Sequence, residues 1–281
     1  MEEGIPAELR RDRMLSLVRE REFMRVSDLS NMFGISEVTV RADLASLADQ
    51  SLVQRVHGGA IVRDPQLVVE RTFEEALDEY AAEKAGIGRY AAGLIRSGET
   101  VVLDVGTTTT ALAKAIVTRE ELTDVTVFTT SLTNALELEV AIPRISVVLT
   151  GGTLRPKQHS LVDPMASLFF ENINASVAFI GCNGVHPELG ITNVNLPETE
   201  IKRKMVAVAQ RTVVVTDGSK LGNISVAKIA DLSDIDQLIT GPSAPPEVVA
   251  ELASTGLAVE IVEPDPGSSR RSAPETNGGN E

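Results

Sequence analysis

At 281 residues the chain exceeds the usual size of one domain and is long enough for two, each with a core of its own. Its 43% hydrophobic and 23% charged residues are the balance of a folded, soluble protein, and no run approaches the ~18 apolar residues of a bilayer span, which excludes membrane-spanning helices. The formal charge of −14 argues against a nucleic-acid binder until it is divided: residues 1–63 hold nine Arg, no Lys and ten acidic residues, leaving 17 basic and 30 acidic residues for the remainder.

The first residues, Met1-Glu2-Glu3-Gly4, lack the basic and apolar regions of an export signal, which predicts a cytoplasmic protein. From Ala7 to Arg21 the apolar Met14, Leu15 and Val18 recur at helical spacing. A second helix is predicted with Ser27 as N-cap, Leu29, Met32 and Phe33 as its apolar stripe, and Gly34 as the left-handed turn beyond it. Ser36 then caps a third, in which Val40, Leu44 and Leu47 share one core face while Val38, Arg41, Ala42 and Ala45 face outward. Leu52 to Val56 and Ala60 to Val62 flank His57-Gly58-Gly59 as a hairpin or wing. Helix, turn, helix and wing is the order in which a recognition helix enters the major groove of duplex DNA. The nine arginines supply planar donor forks for phosphates and guanine edges.

The stretch ISEVTVRADLASLADQSLVQRVHGGA resembles the winged DNA-binding segment of the deoxyribose-operon-repressor (DeoR) family of bacterial regulators. That resemblance implies operator contacts by Arg41 and Arg55, with Ser36, Thr39, His57 and Gly58 as positioning groups. One departure is Ala42, where the family often carries a second arginine.

Asp64 to Tyr80, with Pro65 and a charged, weakly helical composition, reads as a linker between a DNA-binding domain of residues 1–63 and a domain of residues 81–263. Ala81 to Ile95 is predicted helical. TVVLD, VTVFTT, ISVVLTGG, SVAFIG, TVVVTD and QLITG follow as apolar strands separated by helices or loops. That alternation predicts an α/β fold with a doubly wound parallel sheet covered on both faces. Residues 264–281, rich in Pro, Gly and Ser, read as a disordered tail.

Ligands of such sheets bind beyond the carboxyl ends of the strands. There Asp104-Val105-Gly106-Thr107-Thr108-Thr109-Thr110 opens a helix with hydroxyls and free backbone N–H groups, a cradle suited to an anion. Thr130-Ser131, Gly151-Gly152 and Asp217-Gly218-Ser219-Lys220 end later strands and line the same mouth. The pattern is neither a Walker loop nor a dinucleotide fingerprint, so no nucleotide cofactor is expected. Cys182 is the lone cysteine and only three histidines occur, so neither a disulfide nor a metal site is expected.

DVGTTTT, TSLTNA, LTGG, FIGCNGV, GITNVNLPETEIKRKM and DGSKLG, in that order, resemble the sensor domain of the same family, which is itself similar to the ribose-5-phosphate isomerase fold. The resemblance implies that Asp104, Gly106, Thr107, Thr108 and Thr109 embrace the phosphate of an effector, a sugar phosphate or related metabolite, with Lys202 and Lys220 adding positive charge. Glu198 and Lys202, four apart on a helix, read equally well as a surface ion pair, which makes Lys220 the stronger candidate. Where the isomerases present paired aspartates, this chain has Asn183 and His186, and an amide is no general base, so binding without catalysis is expected. Asp163 is a second departure, where the family frequently has glycine. The expected protein is therefore an operator-binding repressor of carbohydrate genes, assembled as a homo-oligomer. The rivals are a sugar-phosphate isomerase and a regulator whose second domain only oligomerises.

Overall fold

The computed structural model describes residues 7–21, 23–49, 53–56, 58–62 and 70–264. The chain divides into two compact units, Met1–Val68 and Val69–Glu281.

In the first unit, α1 (Ala7–Arg21), β1 (Phe23–Arg25), α2 (Val26–Phe33) and α3 (Glu37–Asp49) precede the hairpin of β2 (Val53–Val56) and β3 (Gly59–Val62). Met14, Val18, Leu29, Val40, Leu44 and Leu47 are buried together, so the helical stripes read from the sequence do meet in one core. Burying each such side chain stabilises by about 1.5–3 kcal/mol. Two details differ from the sequence reading. Ser27 is not the cap of α2: the cap is Arg25 and the helix starts two residues earlier, at Val26, because the chain enters it directly from β1, a short strand that pairs antiparallel with β3. Gly34 does take the left-handed conformation (φ 62°) that ends α2.

In the second unit the segment expected to be linker is folded from Glu70 onward. Thr72 caps α4 (Phe73–Leu77) in a reciprocal box with Glu75, and Phe73 is buried. There follow α5 (Ala81–Gly93), β4 (Thr100–Leu103), α6 (Thr107–Thr118), β5 (Val125–Thr129), α7 (Leu132–Glu139) and β6 (Ile145–Leu149). A short hairpin of β7 (Thr153–Arg155) and β8 (Ser160–Val162) leads to α8 (Met165–Phe170), β9 (Val177–Ile180), β10 (Gly184–His186), β11 (Gly190–Asn193) and α9 (Leu196–Val208). The last described elements are β12 (Thr212–Val215), β13 (Ala227–Ala230), β14 (Gln237–Thr240), α10 (Pro246–Ser254) and β15 (Ala258–Ile261).

The six predicted strands become β4, β5, β6, β9, β12 and β14, which with β15 form one parallel sheet in the order β15-β14-β12-β9-β4-β5-β6. Two hydrophobic cores flank it, one built on Ile87, Leu112, Ile116 and Phe179, the other on Phe170, Ile180, Met205 and Val214. This is the doubly wound arrangement, and it sets the carboxyl ends of β4, β5, β9 and β12 side by side. Glu263 and Pro264 lie against Gly86 of α5, while the rest of the predicted tail is outside the described residues. No helix among the described residues is long and apolar enough to cross a membrane.

Candidate functional site

The first candidate surface is α3. Thr39 N donates to Ser36 Oγ at 3.2 Å and the two hydroxyls lie 2.9 Å apart, so Ser36 is the N-cap that the sequence indicates. Arg41 is exposed and its Nη2 reaches back one turn to Glu37 at 2.6 Å, an exposed ion pair. Val38 is 73% exposed and Ala42 is exposed beside it, leaving an apolar strip next to the guanidinium. Gly58 turns the wing with φ 82°. Arg55 sits on β2 opposite Ala60, and His57 lies outside the described residues. Not every arginine is free for DNA. Arg10 bonds buried Asp43 at 2.7 Å, which raises its pKa further, and Arg11 donates to Ser46 at 3.2 Å, so these two tie α1 to α3.

The second surface is the strand mouth. Gly106, at φ 136°, caps α6 without any side-chain bond, a backbone conformation reserved for glycine. Thr109 donates its hydroxyl to Gly106 O at 2.9 Å, and Thr110 Oγ1 lies 2.9 Å from the same oxygen and 2.7 Å from Asn134 Oδ1. Thr109 therefore offers an anion only its backbone N–H, while the hydroxyls of Thr107 and Thr108 are not spent in this way.

Asp104, 1% exposed, accepts from Gly181 N at 2.9 Å and from Lys202 Nζ, which also donates to Gly181 O at 3.1 Å. Lys202 is thus no surface residue and no loose positive charge: of the two readings left open for it, the Glu198–Lys202 surface pair does not form. Both are buried, and Glu198 bonds Arg155 and Ser160 instead. The reason is the helix phase, which turns the 198/202 face of α9 onto the mouth.

Ser131 Oγ caps α7 through Asn134 N at 3.1 Å, and Thr130 O accepts from Leu161 N at 2.8 Å. Gly151 and Gly152 have φ of 75° and 129°, and a Cβ on Gly152 would meet Val162 O at 2.1 Å, so that glycine serves the close approach to β8. Asn183 Oδ1 accepts from Val194 N at 3.0 Å. Asp217 is buried and accepts from Ser219 Oγ.

Beside Asp217 stand two ammonium groups. Lys220 closes the turn after β12, and Lys84, which the sequence reading missed, comes from α5. Lys84 is 5% exposed, its Nζ donates to Ala76 O at 2.6 Å, and burial pushes its pKa down against the pull of Asp217. Among the described residues neither lysine has a carboxylate within 4 Å, in contrast to Lys202 and Arg155. The sequence did hold a signal: Lys84 falls on the same helical face as buried Ile87 and Ala91, where a charge is out of place. Neighbouring Glu83, also buried, accepts from Gly218 N at 2.6 Å and Ser243 Oγ at 2.9 Å and fixes the turn that carries Lys220. Burial raises the thiol of Cys182 to about 11 despite its bond to Thr216 and the nearby Lys202 and Lys220. Two open depressions, lined by Pro187, Asp231 and Thr255 and by Arg203, Gln210 and Asp236, lie away from these strand ends.

Residues 10–66 match the DeoR-like helix-turn-helix domain, and residues 57–242 match the DeoR C-terminal sensor domain. The chain is 32% identical over 254 residues to the HTH-type transcriptional regulator GolR of Listeria innocua, covering 90% of this chain and 98% of that one. It is 34% identical over 257 residues to the HTH-type transcriptional regulator GlpR of Haloferax volcanii, covering 91% and 97%. With the glycerol-3-phosphate regulon repressor of Escherichia coli it shares 26% identity over 252 residues, covering 90% and 98%.

Proposed function

This chain belongs to the DeoR family of DNA-binding transcriptional regulators, and from that premise we propose that it represses carbohydrate-metabolism genes until a phosphorylated sugar or related metabolite fills its sensor. The observation that carries the effector class is the convergence of Lys84 and Lys220, neither in an ion pair within 4 Å among the described residues although Asp217 and Glu79 stand near, on a strand mouth that also holds the bare N-terminus of α6. A phosphate there gains backbone N–H donors, the helix dipole and two ammonium groups at once. Asp104, Lys202 and Glu198 act as the frame that holds the mouth open. Asp217 and Asn183 shape its rim, with Thr107, Thr108, Thr130 and Ser131 beside the anion.

Binding without turnover suits this site. Isomerisation needs a carboxylate base free to take a proton, whereas Asp104 is held by Lys202 and Gly181, and Asp217 by Ser219. On the DNA side, Arg41 and Arg55 reach operator bases or phosphates, with Ser36, Thr39, His57 and Gly58 setting the helix and wing. A cytoplasmic location follows from a DNA target.

Helix-turn-helix proteins read two half-sites as dimers, and the outer edge of β6 suits a second copy of this chain. That strand, Ile145–Leu149, has no charge and is the last strand of the sheet among the described residues, and the exposed Leu136 and Val140 stand on and just beyond α7, which packs against it. In an acidic chain such a neutral edge lets two copies meet without repulsion.

A thermal-shift screen of sugar phosphates tests the effector class: a ligand at 100 times its Kd adds ~2.7 kcal/mol to native stability. The gain should vanish in Lys220→Ala. A broad panel without any shift would leave the sensor as an oligomerisation scaffold.

A further inference from the structure

The hairpin of β7 and β8 touches three things that matter. On one side it meets the carboxyl end of β5, where Leu161 N donates to Thr130 O at 2.8 Å, Leu132 N donates to His159 O at 3.0 Å, and Thr133 Oγ1 lies 3.0 Å from His159 Nδ1. On a second side Arg155 and Ser160 bond Glu198 of α9, one turn before the Lys202 that grips Asp104. On the third it holds the first described residues after the winged unit. Arg155 binds both oxygens of Glu70 at 2.6 and 2.7 Å, Phe73 N donates to Lys157 O at 2.9 Å, Gln158 Nε2 donates to Arg71 O at 2.5 Å, and the rings of Phe73 and His159 lie 5.3 Å apart.

We propose that Arg155 is the positioning residue through which effector occupancy at the strand mouth is passed to residues 70–77, the segment that follows the DNA-binding unit in the chain. One guanidinium serves two carboxylates, Glu198 from the mouth and Glu70 from that segment, with side chains only 16%, 8% and 17% exposed. The cluster therefore carries a surplus negative charge away from bulk water. An arriving phosphate makes the local potential more negative. The group that yields is the one with a single partner and the more exposed side chain: Glu198 also has Ser160, whereas Glu70 has only Arg155 among the described residues. Release of Glu70 loosens the 70–77 segment, and the two states of that segment are the differential element that a regulator needs. Lysine in place of Arg155 keeps the charge but loses the planar fork that spans both carboxylates.

This rests on the sensor reading above, yet its test needs no effector. Backbone hydrogen exchange is followed by mass spectrometry on the full chain as wild type, Lys202→Met, Arg155→Lys and the double variant, with the interior, buried strand Gln237–Thr240 as the report of global unfolding. Each single change should raise exchange at residues 70–77 about tenfold beyond the change at the reference strand, and the double should exceed the larger single by less than about twofold. If Lys202→Met does not fold, Glu198→Gln takes its place in the cycle. Multiplying effects, or an unchanged 70–77 segment when Lys202 is replaced, overturn the proposal. Failure of every sugar phosphate in the thermal-shift screen would sink the effector reading while leaving this cycle decided.

Discussion

Replacing Lys202 by Met probes the frame of the mouth. The Lys202–Asp104 pair has side chains 4% and 1% exposed, so removing the ammonium leaves a carboxylate in the interior with Gly181 N as its remaining donor. An uncompensated buried charge of this kind costs about 3–5 kcal/mol. That is a large share of the ~5–15 kcal/mol that holds a domain together. At ~2–4 °C per kcal/mol for a unit of this size, melting falls by roughly 6–20 °C. The further change Asp104→Asn removes the stranded charge, so the double variant should recover most of the loss. Urea unfolding followed by tyrosine emission is the assay, because the chain has no Trp and both its tyrosines, Tyr80 and Tyr90, lie in the sensor unit. A loss below about 1 kcal/mol in Lys202→Met, or a double variant as unstable as the two single losses added together, would refute the reasoning.

Three further outcomes are expected. Arg41→Ala should weaken operator binding by about 1–3 kcal/mol at matched salt, measured by fluorescence anisotropy, while Glu37→Gln, which frees the same guanidinium, should strengthen it. Anion affinity of the sensor should fall as pH rises through the lowered pKa of Lys84, because only its charged form attracts phosphate, and calorimetric titration in Lys84→Met should lose that pH dependence. The same lowered pKa means that without ligand the unfolded chain holds the Lys84 proton to higher pH than the folded one, so stability from this residue grows as pH rises through that range. Cys182, whose thiol burial pushes up to about 11, should alkylate up to about 100-fold more slowly at pH 8 than a model thiol, and an iodoacetamide time course reads this directly.

Elements whose periodicity is paid back by burial were legible in the sequence: Val40, Leu44 and Leu47 on α3, and the six near-continuous apolar strands. The three-residue β1 is too short to stand out and the AVEI of β15 is interrupted by Glu260 in an edge strand of exposed and half-buried residues, so each is a strand because of its neighbour rather than its own pattern. The β10-β11-β13 sheet is built from short pieces split across α9, so no local window holds it. At the mouth, strand-end Asp104, Gly106 and Asp217 were legible because polar residues after apolar runs mark carboxyl ends. The bonding of Lys202 was not, since its partner is 98 residues away. Arg155 was invisible for the same reason, joining Glu70 and Glu198 across 85 and 43 residues. Lys84 could have been found, as a charge on an apolar helical face is itself a signal.

The most direct test of the account is DNase footprinting of the full chain on DNA upstream of its own gene and its neighbours at low salt, with and without a panel of sugar phosphates. The expected result is a protected tract that at least one phosphorylated compound abolishes in the wild type but not in Lys220→Ala. No protected tract under any condition, or release by a compound that acts equally on Lys220→Ala, would contradict it.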